Sequence, residues 1–179
     1  MRRRILIGLA AVVIALVVVI SLRPAELRVA RSTMVAAPPP AVFAQVNDFK
    51  KWDAWSPYVK IDPAMKKTYA GAPTGMGAIY AWAGNSEAGE GRATIVESRP
   101  NELVKIQLDF LKPMEGNAVA EFSFKPDGDK TQVTWSFVGP CTFIGKAIGL
   151  FIDMDKMVGD QFEAGLADLK KVAESTAKS

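Results

Sequence analysis

Histidine is absent from the 179-residue chain, and cysteine occurs once. The first absence removes the commonest general base, metal ligand and triad member. The second excludes an internal disulfide. Cys141, with no histidine to activate it, is no Cys–His nucleophile and reads as a packed thiol beside Pro140. Phosphate loops are missing as well. "GMG" (residues 75–77) and "GEGR" (residues 89–92) lack the strand–loop–helix setting and the Lys-Ser/Thr pair, and read as hairpin glycines. "DMDKMVGD", residues 153–160, lacks an oxygen ligand at its fifth position and carries its glycine seventh rather than sixth. It makes a poor calcium loop and a better helix start, where acids favour the positive end of the dipole. No metal or cofactor is expected, and no residue is assigned a catalytic role.

A strongly charged domain is also missing. The net charge of +3 comes from the first residues: 1–23 carry Arg2, Arg3, Arg4 and Arg23 and no acid. Taking those four from the 22 basic residues leaves 18 against 19 acids. A remainder so close to neutrality offers no basic face for nucleic acid. Protein partners cannot be read from the sequence.

What the first residues do have is an uncharged run of 18, from Ile5 to Leu22. As a helix it spans about 27 Å, against a bilayer core of about 30 Å. No small-residue cleavage site follows, only Leu22, Arg23 and Pro24, and no cysteine ends the run. The expectation is one N-terminal transmembrane helix within residues 1–23, reaching the membrane through residues 5–22. Residues 24–179 then form the domain. The three leading arginines favour a cytoplasmic N-terminus, while Arg23, Arg28 and Arg31 oppose it. The expected placement is a single-pass protein of a bacterial inner membrane with the domain outside the cytoplasm.

Within the domain, "AELRVARSTMVAA" alternates as a strand, and "PPPAVFAQVNDF" puts prolines at a helix start. "KKWDAWSPYVK" follows, with Trp52, Trp55 and Tyr58 at steps of three. Such aromatics either plug a core from the side or wall a cavity. Six strand-like segments come next, joined by short turns. The clearest is "LVKIQLDF", with Val104, Ile106, Leu108 and Phe110 alternating against Lys105, Gln107 and Asp109. Phe122 and Phe124 share a face of another, and Val133, Trp135 and Phe137 of the last. This is an antiparallel meander with one covered face. After Pro140 the period turns helical through Val158, Phe162, Leu166, Leu169 and Ala173. "CTFIGKAIGLFI", residues 141–152, reads as the first part of that helical region, as a lid, or as a membrane-touching edge. The terminal helix is the only element long enough to cover the meander. A curved sheet wrapped around it leaves a space that side chains or a ligand fill.

This order of elements resembles the helix-grip fold of the START-like (SRPBCC) superfamily, in particular its bacterial polyketide cyclase/dehydrase-like group. The resemblance rests on "WDAWSPY", "GMGAIYAWAGN", "GEGRATIVES", "LDFLKP" and "DKMVGDQFEAGLADLKK" and covers about residues 25–175. It implies an α+β fold, a curved antiparallel sheet around a long C-terminal helix. It also implies binding of a small hydrophobic ligand, lipid- or polyketide-like, between the two. A cyclase- or dehydratase-like enzyme and a cavity-free protein-interaction domain are the alternatives. The expected lining is Trp52, Trp55, Tyr58, Tyr80, Trp82, Leu108, Phe110, Phe122, Trp135, Met157 and Gln161. Arg92 is expected to join Tyr80 across a hairpin as a donor to a carbonyl or carboxylate, or else to face solvent with Glu90.

Overall fold

The computed structural model describes residues 2–177, with side chains from residue 7 onward except residue 12. Helix α1 (Arg2–Ser21) is followed by strand β1 (Glu26–Val35) and helix α2 (Pro39–Val46). Two 3-10 turns, Phe49–Ala54 and Pro57–Lys60, lead into the meander. Its strands are β2 (Lys66–Gly71), β3 (Ala78–Ala83), β4 (Glu90–Arg99), β5 (Leu103–Lys112), β6 (Gly116–Asp127) and β7 (Lys130–Pro140). Helices α3 (Phe143–Ile148) and α4 (Met154–Thr176) complete the chain.

The expected transmembrane helix is not supported. Among the described residues, no helix is long and apolar enough to cross a membrane. The single-pass placement in an inner membrane is overturned by this finding, and membrane contact through residues 5–22 is not shown. Residues 5, 6 and 12 of the expected run lie outside the described side chains.

The six expected meander strands all form, and each pairs antiparallel with the next. β1 returns to the free edge of β7, from Glu26 opposite Pro140 to Val35 opposite Thr131. The sheet order is therefore β1-β7-β6-β5-β4-β3-β2. Alternation puts one set of side chains on a concave face. Ala93, Ile95, Val104, Ile106, Ala120 and Phe122 from its centre are all buried there.

α4 starts where the sequence places its acids: the Asp153 carboxylate accepts the Lys156 backbone N–H at 3.0 Å. Its stripe of Phe162, Leu166, Leu169 and Ala173 is buried. The helix lies mainly along β1, with further contacts to α2, β7 and both 3-10 turns. Gly159 lets it approach so closely that an added Cβ would strike the Arg31 guanidinium. Arg31 in turn is held by Asp155 at 2.8 Å and Glu163 at 3.0 Å.

Residues 141–152 do not extend α4. They form the separate helix α3, whose N-cap Thr142 hydroxyl accepts from the Gly145 N–H. α3 packs against α1, and Phe143, Ile144 and Phe151 stay exposed.

Candidate ligand-binding face

The "WDAW" stretch has a structural answer. A helix leaves its last carbonyls unpaired. At the end of α2 two of them are taken by indoles: Trp52 Nε1 donates to the Val46 carbonyl (2.9 Å) and Trp55 Nε1 to the Gln45 carbonyl (3.2 Å). Spacing by three on a 3-10 turn stacks these rings on one side. Both are buried, Trp55 completely. From Trp55 a column of rings crosses the space between sheet and helix. Trp55 meets Phe122 edge-on, Phe122 stacks on Trp135 at 4.7 Å, and Trp135 stacks on Phe162 of α4 at 4.1 Å and 6°. Beneath α4 and the 3-10 turns, then, the grip is filled by its own aromatics.

Toward β2–β5 the concave face is less covered. Tyr69 and Tyr80 are direct cross-strand partners, and Trp82 lies opposite Gly91, which lies opposite Phe110. The rings run in sequence at centroid distances of 5.6 Å (Tyr69–Tyr80), 5.8 Å (Tyr80–Trp82) and 6.2 Å (Trp82–Phe110). Small neighbours make this possible: a Cβ on Gly91 would collide with the Trp82 six-membered ring, so only glycine lets the indole lie across β4. Ala93 and Ala118 flank Leu108 in the next row. Tyr80, Trp82, Leu108 and Phe110 are half-buried, and Tyr69 is 38% exposed. Trp82 Nε1 donates to the Ala88 carbonyl, which fixes the ring. Desolvation, with the neighbouring Tyr69 and Asp53, pushes the Tyr80 phenol well above its usual value. Tyr69 is raised by the same kind of desolvation and by Asp53 and Asp48. Both remain protonated donors at neutral pH.

Three residues of the expected lining, Tyr58, Met157 and Gln161, are exposed. Tyr58 meets Trp135 edge-on at 6.2 Å and is 40% exposed; desolvation of its phenol pushes its pKa up to about 12. Met157 and Gln161 are exposed on α4. Arg92 is elsewhere. It pairs with Ala81 and Asp109, whereas Tyr80 pairs with Ala93, so the two project from opposite faces of the sheet. Its guanidinium binds Asp109 at 2.9 Å in solvent. Trp52, Trp55, Phe122 and Trp135 come together as packed core; Tyr80, Trp82, Leu108 and Phe110 come together as a half-open shelf. Phe49 and Tyr69 were not expected at the site. Phe49 packs on Trp52 and Tyr80, and the period-two step from Tyr69 to Lys67 in "KKTY" was the available signal for Tyr69. Two clefts open at the margins: one of about 250 Å³ by Phe49, Tyr69 and Ile79, and one of about 470 Å³ between Leu27, Cys141, Leu150 and Met154.

A family profile described as polyketide cyclase / dehydrase and lipid transport matches residues 26–174. The chain belongs to this family. The match spans β1 to the last turns of α4, so it includes both the packed column and the shelf. No curated protein matches the chain. Among solved structures, it is similar to the Staphylococcus aureus protein SA2116, itself described as of unknown function. That pair has 15% identity and a TM-score of 0.63, over 86% of this chain and 97% of that one. A Thermobifida fusca protein matches with 24% identity and a TM-score of 0.58, over 82% and 92%. The Chromobacterium violaceum protein CV1439 matches with 14% identity and a TM-score of 0.58, over 85% and 99%. At these identities the likeness extends to the START-like fold and no further.

Proposed function

We propose that this domain binds a small apolar molecule on the half-open part of its concave face. Tyr80, Trp82, Leu108 and Phe110 form the floor, with Tyr58, Met157 and Gln161 at the rim. The observation that carries the reading is the run of partly exposed rings on a concave surface. A mostly apolar recess with a few polar groups is the usual setting for a small ligand. The family description, which includes lipid transport, supports an apolar cargo. Tyr69 and Tyr80 supply protonated donors, and neither loses its proton near neutrality. Acid–base chemistry near pH 7 needs a group that titrates there, and this reading therefore favours binding over turnover.

The test is a titration with the neutral dye N-phenyl-1-naphthylamine. Its fluorescence should rise saturably while tryptophan emission falls. Trp82→Ala together with Phe110→Ala should weaken binding with the far-ultraviolet circular dichroism unchanged, and Arg92→Ala should leave binding unaltered. Unchanged affinity in the double variant, or no saturable binding by the folded protein, would sink the reading.

A further inference from the structure

Three of the four tryptophans have their indole N–H satisfied, by the carbonyls of Val46, Gln45 and Ala88. The fourth does not. Trp135 Nε1 is buried, in a residue only 3% exposed, and has no hydrogen-bond partner in the structure. A buried donor left unpaired is costly, and native proteins seldom leave one without a purpose or a guest. The donor is also held rigidly. Phe122 stacks on the indole at 4.7 Å and Phe162 at 4.1 Å, while Trp55 and Tyr58 meet it edge-on. The Cζ3 corner points at α4, since a Cβ on Gly165 would lie 2.8 Å from it and 2.8 Å from Pro57 Cδ. In an indole, Nε1 is diagonally across from Cζ3, so the N–H is directed away from Gly165 and Pro57.

One neighbour of Trp135 is positioned to yield. Tyr58 is the outermost ring of the cluster, 40% exposed, on the short 3-10 turn that begins at Pro57. No side-chain hydrogen bond ties its phenol to the rest of the protein among the described residues, in contrast to the anchored indoles of Trp52 and Trp55. Its contact with Trp135 is a single edge-on ring contact, at 6.2 Å.

We propose that Trp135 Nε1 is the polar anchor of the ligand site. It donates to a carbonyl, ether or hydroxyl oxygen on an otherwise apolar molecule, which enters past Tyr58. The ligand class is thus an oxygen-bearing apolar compound rather than a plain hydrocarbon. This inference rests on the binding function proposed above. It adds one claim that apolar contact alone does not make: the site discriminates by a single acceptor atom.

A matched pair of probes tests it on the full chain: 2-acetylnaphthalene, which carries a carbonyl, and 2-ethylnaphthalene, which does not. In ¹H–¹⁵N spectra the Trp135 indole signal, assigned by its loss in Trp135→Phe, should move downfield as the ketone is added and not as the hydrocarbon is added. A neutral hydrogen bond to a buried donor corresponds to about tenfold in affinity. The ratio of the two dissociation constants should therefore shift by about tenfold toward the hydrocarbon in Trp135→Phe. Using the ratio cancels the smaller ring's effect on packing, which both probes feel alike. An unmoved Trp135 signal with bound ketone, or an equal loss for both probes, overturns the anchor while leaving apolar binding in place. If neither probe binds saturably, the binding function and the anchor fall together.

Discussion

Trp135 and Trp82 project from the same concave face of one sheet, yet the first is sealed between two phenylalanines and the second is half exposed. The difference lies in how much sheet one helix can cover. Seven strands about 4.8 Å apart make a surface about 29 Å wide. A helix with its side chains is about 10–12 Å across. α4 lies along the β1 edge, and α2 with the two 3-10 turns extends the cover toward the middle. The β2–β5 side is left to close itself with its own rings. One half of the face is therefore filled by packed rings, and the other is left half open.

The largest expected effect tests the sealed half. Phe162 is buried against Trp135, and truncating such a ring costs about 3–5 kcal/mol. That is a large part of an ordinary domain stability of about 5–15 kcal/mol. Phe162→Ala should lower the urea midpoint steeply. Phe110→Ala, on the half-open shelf, should cost about 1–2 kcal/mol because less of the ring leaves water on folding. Lys170→Ala, at a partly exposed lysine of α4 whose ion pair with Glu174 is long, should stay within about 0.5 kcal/mol. Equal losses at Phe162 and Phe110 would erase the distinction between the halves.

The two halves were unequally legible in the sequence. Strands and the terminal helix follow from local periods, which is why "LVKIQLDF" and the Phe162–Leu166–Leu169 stripe both sit where their patterns predict. The identity of the covered half depends on contacts far apart in the chain. It turns on β1 returning to the edge of β7, and on α4 docking beside Arg31. No local period carries that information. The run "EGRA" was ambiguous for a related reason. Its inward residues, Gly91 and Ala93, are small because Trp82 and Leu108 occupy the room above them, and the conspicuous Arg92 belongs to the opposite face. At the other end, hydropathy alone suggested a membrane span for the first residues, which the structure does not support.

Two glycines on α4 sharpen the comparison at the next level of effect. Replacing a helical glycine with alanine gains up to about 1 kcal/mol of helix propensity. At Gly165 the new methyl would press on the Pro57 ring and Trp135, neither of which can swing away without opening the core, and overpacking of this kind costs about 1–3 kcal/mol. At Gly159 its three nearest neighbours would all be atoms of the Arg31 guanidinium, the end of a flexible side chain. Gly165→Ala should therefore destabilise, and Gly159→Ala should be nearly neutral. The reverse order in thermal unfolding would mean that Arg31, not the aromatic column, locks α4 to the sheet.

The smallest expected effect concerns that Arg31 clasp, and its sign is fixed by the direction of a pKa shift. The hydrogen bond from Arg31 is the largest influence on Asp155 and holds its carboxyl below the ordinary aspartate value of 3.8. A group with a lower pKa in the folded than in the unfolded chain adds stability that is complete above the unfolded value. That stability is lost as pH falls through the ordinary carboxylate range toward the folded value. Wild type and Asp155→Asn should thus differ in melting temperature at pH 6, and the gap should close as the pH drops below about 4. The effect is small because Asp155 is more than half exposed, and raising the salt to about 1 M should shrink it further at pH 6. A gap at Asp155 that persists unchanged at pH 3 and in high salt would assign its contribution to packing. The attachment of α4 would then depend on the sealed aromatic half alone.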